Sequence, residues 1–229
     1  MDRWRLDEGA HAGPEHQDPV YVAGFERKAG YDPAPDVDVL RSHGIGADSV
    51  VVDLAAGTGV FARAMAPHCG RVIAVDVSPA MVAMLRTRVA AEGLTNVTVV
   101  EGGFLSYDHA GPPPDAVFSR NALHQLPDFW KVVALRRIAE LLAPGGLLRV
   151  RDLVYDFGPE EIDERVEGWM AWAVDDPAVG YTAEEYAAHL RTEFSTFSWL
   201  FEPMLERSGF TILDREDVIG FYGAYTCRS

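Results

Sequence analysis

Gly57-Thr58-Gly59, with Ala62 behind it, has the spacing G-x-G-x-x-[GA]. Glycines spaced this way let a ligand lie directly against backbone, with no Cβ in between. Asp53 stands just before this turn, and Asp76 follows 23 residues after Asp53. A carboxylate there can accept hydrogen bonds from vicinal ribose hydroxyls, each charged bond contributing roughly 1.5–3 kcal/mol. The pattern implies a nucleoside cofactor. It is not a P-loop, because no GK[ST] follows. Other chemistry-bearing residues lie further along. His124 titrates near neutrality and follows a turn close to the cofactor, so it is either catalytic or packed structurally on the helix after it. Asp152 and Tyr155 either face the pocket or serve as a strand-end acid and a packing aromatic. His189 and Glu193 sit at i, i+4 on one helix face, with Arg191 between them in sequence; this is either a surface ion pair or a substrate-recognition face. No metal-ligating spacing stands out, and no metal is expected.

These residues need rigid elements to hold them. Val50-Val51-Val52-Asp53-Leu54 is a continuous apolar run, as in a strand buried on both faces. Val72–Val75, Val97–Val100, Ala116–Phe118 and Leu147–Leu153 read as four more strands. Helices intervene. Ser78 and Pro79 form a helix start, with Met81, Val82, Leu85 and Val89 recurring at helical spacing. Phe129, Val132, Leu135, Ile138 and Leu142 form an amphipathic stripe. Strands alternating with helices imply a parallel sheet covered on both sides, with ligands at the carboxyl ends of the strands. From 152 to 208 the alternation breaks into helical sequence rich in aromatics, with a capping box at Thr182–Glu185. Strands resume at Phe210–Leu213 and Phe221–Cys227.

At 229 residues with 48% apolar content, the chain can bury a substantial core. Its 20 basic against 35 acidic residues give a net charge of −15. Such a field disfavours nucleic acid and anionic membrane as partners. Cys69 and Cys227 have no CxxC spacing and read as reduced thiols. Met1-Asp2-Arg3-Trp4-Arg5 leads into polar sequence rather than an apolar signal core, so a cytoplasmic location is expected.

The motifs together resemble a known family. Val51 to Gly59 is similar to the first motif of class I S-adenosylmethionine (SAM)-dependent methyltransferases. Val75-Asp76-Val77-Ser78-Pro79-Ala80-Met81 resembles their second-strand motif, Glu101-Gly102-Gly103-Phe104 their adenine turn, and Leu141 to Leu148 their fifth-strand motif. The resemblance implies SAM as cofactor and S-adenosylhomocysteine as product. It implies that Asp53 orients the methionine end and that Ala55, Gly57 and Gly59 give backbone approach. Asp76, with Val77 beside it, would hold the ribose, Met81 and Phe104 would pack on adenine beside Gly103, and Ser119 and Asn121 would lie near the methionine moiety. Two positions depart from the pattern. Ala55 stands where the family usually has its first glycine, and Gly103 stands where an Asp commonly contacts the adenine amino group. A nicotinamide oxidoreductase would want a Tyr-x-x-x-Lys pair, and none is recognisable.

The expected fold is therefore α/β: a doubly wound, seven-stranded Rossmann-like methyltransferase sheet with a helical insertion, or lid, before the last two strands. Expected boundaries are 1–36 for an N-terminal arm or lid, 37–151 for the cofactor core, 152–208 for the insertion and 209–229 for the closing strands. The expected reaction is in-line methyl transfer to a small-molecule acceptor, with His124 and Asp152 as catalytic candidates. Tyr21 and Tyr31 of the arm, with Tyr155, His189, Arg191 and Glu193, are acceptor-side candidates. Residues 152–193 hold twelve acids against two arginines, so the acidity concentrates in the segment expected to roof the acceptor. That opposes RNA and favours a neutral or cationic acceptor. A tRNA or rRNA methyltransferase and a non-catalytic SAM-binding protein are the alternatives, and a homodimer is left open.

Overall fold

The structure, a computed structural model, describes residues 4–229. The first three residues of the expected arm, and with them part of the Met1–Arg5 run, lie outside the described residues. Strands β1 (Val50–Leu54), β2 (Arg71–Asp76), β3 (Val97–Glu101), β4 (Ala116–Arg120) and β5 (Leu147–Tyr155) pair in parallel in the order β3-β2-β1-β4-β5. The sheet continues through β8 (Tyr222–Arg228), antiparallel to β5, and β7 (Thr211–Val218), antiparallel to β8. A two-residue strand, β6 (Thr196–Phe197), pairs with the end of β5 off this path.

The apolar runs are continuous because both faces are covered. Val52, Leu54, Ile73 and Val75 pack under α5 (Asp128–Leu141) and α8 (Ser198–Arg207). Val51, Val72 and Ala74 point the other way, toward α2 (Ala34–Ser42), α3 (Val60–Met65) and α4 (Pro79–Ala91). This is the period-two alternation of a strand with two buried faces. Ser78 caps α4, its Oγ accepting from Met81 N at 3.2 Å. The capping box forms at the start of α7 (Ala183–Thr192).

The stripe expected on α5 is rotated. Leu135 and Ile138 are buried, but Phe129 and Val132 are exposed, and Lys131 is buried in their place. Its ammonium binds Asp128 and the Phe194 carbonyl, so a polar tether displaces apolar burial at that end of the helix.

The expected boundaries at 36/37 and 151/152 both fall inside elements, α2 and β5. Asp36 explains the first. Its fully buried carboxylate accepts from Arg149 Nε at 2.9 Å, Arg151 Nη1 at 2.8 Å and Tyr31 Oη at 2.8 Å, tying α2 and the arm to the sheet. The rest of the arm forms two 3-10 turns and α1 (Pro19–Ala29), which packs on α4. The insertion has α6 (Ile162–Met170), α7 and its own aromatic core. Trp169 stacks on Phe221 with centroids 4.5 Å apart, beside Tyr155 and Phe157.

Candidate active site

The turn after β1 is built from left-handed backbone: φ is 60° at Ala55, 56° at Gly57 and 81° at Gly59. At Gly59 a side chain would also run into Leu85 Cδ1. Ala55 adopts the glycine-like conformation despite its methyl group, at a cost of about 1–2 kcal/mol. Strain of this kind persists where the surroundings over-determine it.

Asp53, at the end of β1, is 2% exposed, and its Oδ2 has no hydrogen-bond partner. Burial first, then the neighbouring Asp76, pushes its carboxyl up to about 8, only partly offset by the Ala62 N–H. Thr58 Oγ1 and Ser119 Oγ are likewise buried and unpartnered. Asp53 and Thr58 line a cavity of about 1350 Å³. Native structures rarely leave buried polar atoms unpaired, and each such group costs roughly 1–3 kcal/mol. An unmatched acceptor at a glycine turn suits a ligand with a cationic amine. The cavity exceeds the roughly 300–1,000 Å³ of common ligand sites and so has room for a second molecule. On these grounds the residues fit SAM.

Asp76 ends β2, and both its oxygens already work within the protein. Oδ2 accepts from Gly57 N at 2.7 Å and Oδ1 from Ser78 N at 2.8 Å. It therefore clamps the glycine turn to the start of α4, and each oxygen keeps a second lone pair for a ligand. Burial raises its pKa.

Beyond β3, a side chain at Gly103 would run into the carboxyl group of Glu8, reaching in from the arm. Glu8 Oε2 accepts from Leu105 N at 3.0 Å and Oε1 from Ser106 Oγ at 2.5 Å. The departure at Gly103 is thus matched by a carboxylate from nearly a hundred residues upstream. No local sequence signal could have shown it.

The acceptor-side candidates converge. Asp152 is buried on β5, its Oδ2 accepting from Leu123 N at 2.7 Å and Ala122 N at 3.1 Å. Its Oδ1 binds His124 Nδ1 at 2.5 Å and accepts from Leu153 N at 2.8 Å. His124 Nε2 lies 3.1 Å from Glu193 Oε2, and that oxygen lies 2.5 Å from His189 Nδ1. His189 Nε2 in turn meets Ser195 Oγ at 2.7 Å. Burial alone would lower the His124 pKa, but Asp152 and then Glu193 outweigh it and push it up to about 9. The pair His189–Glu193 is therefore no isolated surface ion pair. The main chain enforces the convergence, because Phe194 N donates to the His124 carbonyl at 2.8 Å.

Ala55, Gly57, Asp76, Val77, Met81 and Asn121 line the same cavity as Asp53. So do Gly103 and Phe104, the arm's Tyr21 and Tyr31, and His124, Asp152, His189 and Glu193. Four expected residues lie elsewhere. Gly59 and Ser119 sit behind the cavity wall. Tyr155 is taken up by an aromatic core shared by the insertion and the closing strands, with Phe197 and Phe221 each 5.5 Å away. Arg191 points outward to pair with Glu184 at 2.6 Å. The arm's histidines are not loose: Ser78 Oγ donates to the His16 carbonyl at 2.7 Å, and His16 packs on Tyr21. Arg120, the last residue of β4, lies 4.0 Å over the Tyr31 ring and also lines the cavity.

Part of the chain is similar to known proteins. Residues 51–146 match the methyltransferase domain family. An uncharacterized methyltransferase of Oceanobacillus iheyensis is 26% identical over 129 residues, 55% of this chain and 58% of that protein. A demethylmenaquinone methyltransferase of Shouchella clausii is 29% identical over 112 residues, 48% of this chain and 47% of that one. The chain thus spans about half the length of these curated relatives. A SAM-dependent methyltransferase from Aquifex aeolicus has the same fold, with a TM-score of 0.65 at 19% identity over 92% of this chain and 98% of that one. Residues 51–146, with their glycine turn and two acids on one parallel sheet, thus match a methyltransferase domain, and the chain has the fold of solved SAM-dependent methyltransferases.

Proposed function

We propose that this protein moves the methyl group of SAM to a small molecule held in the cavity under the arm and lid. The observation that carries the reading is that Asp53, with its unpartnered oxygen, and the Asp152–His124 pair open onto one cavity. SAM supplies a methyl group already activated by its sulfonium. The protein's task is then mainly alignment, which can supply most of the rate. Asp76 takes the ribose hydroxyls, Met81 and Phe104 flank adenine, and Asp53 holds the amine of the methionine end. Asp152 and His124 form the polar end for the acceptor. Tyr21, Tyr31, Tyr181 and Tyr186 supply an apolar, aromatic wall, as small-molecule sites commonly have. Demethylmenaquinone, named for the Shouchella clausii relative, is a ring-bearing acceptor of the kind such walls suit.

The deciding experiment has two steps. Calorimetry at pH 7 should show micromolar binding of SAM and S-adenosylhomocysteine and none of NAD. Labelled SAM with a fractionated metabolite extract should then label a small molecule. Absence of SAM binding ends the reading. Binding without any labelled product leaves a non-catalytic SAM-binding protein, and label in RNA would make it an RNA methyltransferase. Asp53 adds a linkage signature. With its pKa near 8 the carboxyl is mostly protonated at pH 7, and a cationic amine beside it favours the ionised form. SAM binding at pH 7 should therefore release close to one proton, seen as a dependence of binding heat on buffer ionisation enthalpy. The release should fade by pH 9, where Asp53 is already ionised. A heat independent of buffer at pH 7 would remove Asp53 from that role.

Glu8 is assigned to adenine recognition by compensation. Glu8→Ala should weaken SAM about 10-fold, roughly 1.4 kcal/mol. Gly103→Asp should also weaken it, because the new carboxylate meets Glu8. The double variant should recover to within a few-fold of wild type. Two unaffected single variants would show that Glu8 only braces the turn.

A further inference from the structure

We infer that His124, His189 and Glu193 form a binding site for a divalent transition-metal ion of the zinc class. One ligand atom from each lies within 4.8 Å of the others, and His124 Nε2 and His189 Nδ1 lie 3.1 and 2.5 Å from Glu193 Oε2. Two imidazoles and one carboxylate are the donors that zinc, cobalt and iron take, whereas calcium and magnesium take oxygen sets.

The opposite side of each ring is held as a metal site requires. Asp152 takes His124 Nδ1 at 2.5 Å and is itself fixed by the Ala122, Leu123 and Leu153 N–H groups. Ser195 Oγ engages His189 Nε2 at 2.7 Å. Each ring is thereby oriented with its other nitrogen turned toward Glu193. Carboxylate or hydroxyl partners of this kind commonly orient metal-ligating histidines, and losing one typically costs 10–100-fold in affinity.

The three residues come from the loop after β4 and the end of α7, and the backbone joins these rigidly. Phe194 N donates to the His124 carbonyl at 2.8 Å, Glu193 N donates to the His189 carbonyl at 3.0 Å, and the Lys131 ammonium binds the Phe194 carbonyl. Little ordering of the protein is left for an ion to impose. All three ligands line the cavity, so the site is reachable. A purely structural ion-pair cluster does not require that access. The ion site stands independently of the methyl-transfer reading.

The test uses the full chain stripped with chelator, titrated with Zn²⁺ against a competing dye and with Co²⁺ followed by visible absorption. Wild type should bind one Zn²⁺ with sub-micromolar affinity, and Co²⁺ should give the absorption bands of a nitrogen- and oxygen-ligated ion. His189→Ala and Glu193→Gln should each weaken Zn²⁺ at least 100-fold, and Asp152→Asn 10–100-fold. SAM affinity and the metal-free melting temperature report whether each variant still folds. For a variant that does not fold, His189→Gln replaces it. Zn²⁺ binding equally tight in folded variants and wild type would overturn the site and place the ion elsewhere, the arm's His11 and His16 included. Wild type taking up no Zn²⁺ or Co²⁺ would leave the cluster as hydrogen-bonded ion pairs. Either result leaves SAM binding untouched, so failure here is distinct from failure of the function above.

Discussion

Replacing Asp76 with Ala is expected to weaken SAM at least 100-fold, about 2.7 kcal/mol, with the fold retained. Two losses combine. The first is the charged acceptor for the ribose hydroxyls, worth roughly 1.5–3 kcal/mol per bond. The second is internal. Asp76 accepts from Gly57 N and Ser78 N at 2.7 and 2.8 Å, so its removal frees the glycine turn from the start of α4. A loosened turn must be reordered when the ligand binds, and that cost also reduces affinity. Asp76→Asn keeps one acceptor and loses the charge, so it should fall between Ala and wild type. Calorimetric Kd values for the three proteins check this, with circular dichroism as the fold control. An Ala variant within threefold of wild type would refute the ribose role and reduce Asp76 to a clamp.

The largest stability effect is expected at Asp36. Its carboxylate is fully buried and pairs with Arg149, which is 1% exposed, and with Arg151. Asp36→Ala leaves the Arg149 guanidinium in the core with Glu216 and Thr226 Oγ1 as remaining partners. Breaking a buried pair from one side costs roughly 3–5 kcal/mol, because the surviving charge is left under-compensated. For a chain of this length each kcal/mol moves Tm by about 2–4 °C, so a drop of roughly 10 °C is expected. The same variant unties the Tyr31 hydroxyl, so one wall of the cavity should loosen as well. Urea unfolding of Asp36→Ala and Asp36→Asn measures it. A loss below about 1 kcal/mol would mean that water or Glu216 fully replaces the aspartate.

The placement of the β1 and β2 turns was readable from sequence because their geometry is carried by local chain. A buried strand ending in Asp53, a glycine turn and an acid ending the next strand have positions fixed by covalent spacing and parallel pairing. The acceptor half depends on contacts that spacing does not encode. His124 and Glu193 meet because a single N–H, that of Phe194, bonds the His124 carbonyl. Read alone, the i, i+4 pair His189–Glu193 gave no hint of a third partner. Glu8 was silent for the same reason, since what calls for it is the missing side chain at Gly103. Helix α5 shows the converse error. Periodicity favoured Phe129 and Val132, but the buried Lys131 needed the Phe194 carbonyl, and tertiary bonding overrode the pattern.

Arm and insertion meet at a buried cation. Lys28, one of the chain's two lysines, is buried, binds Glu185 of α7, and sits 5.3 Å from the Tyr21 ring and 5.1 Å from the Tyr181 ring. Arg27 Nε adds a bond to the Ala178 carbonyl at 3.1 Å. Two lengths of chain thus grip each other across a cation at the cavity wall. Parting the two would strip that cation from a carboxylate and two rings at once. Under the proposed reaction, residence time in the cavity would then answer to a latch made by arm and insertion rather than by the Asp152–His124 pair.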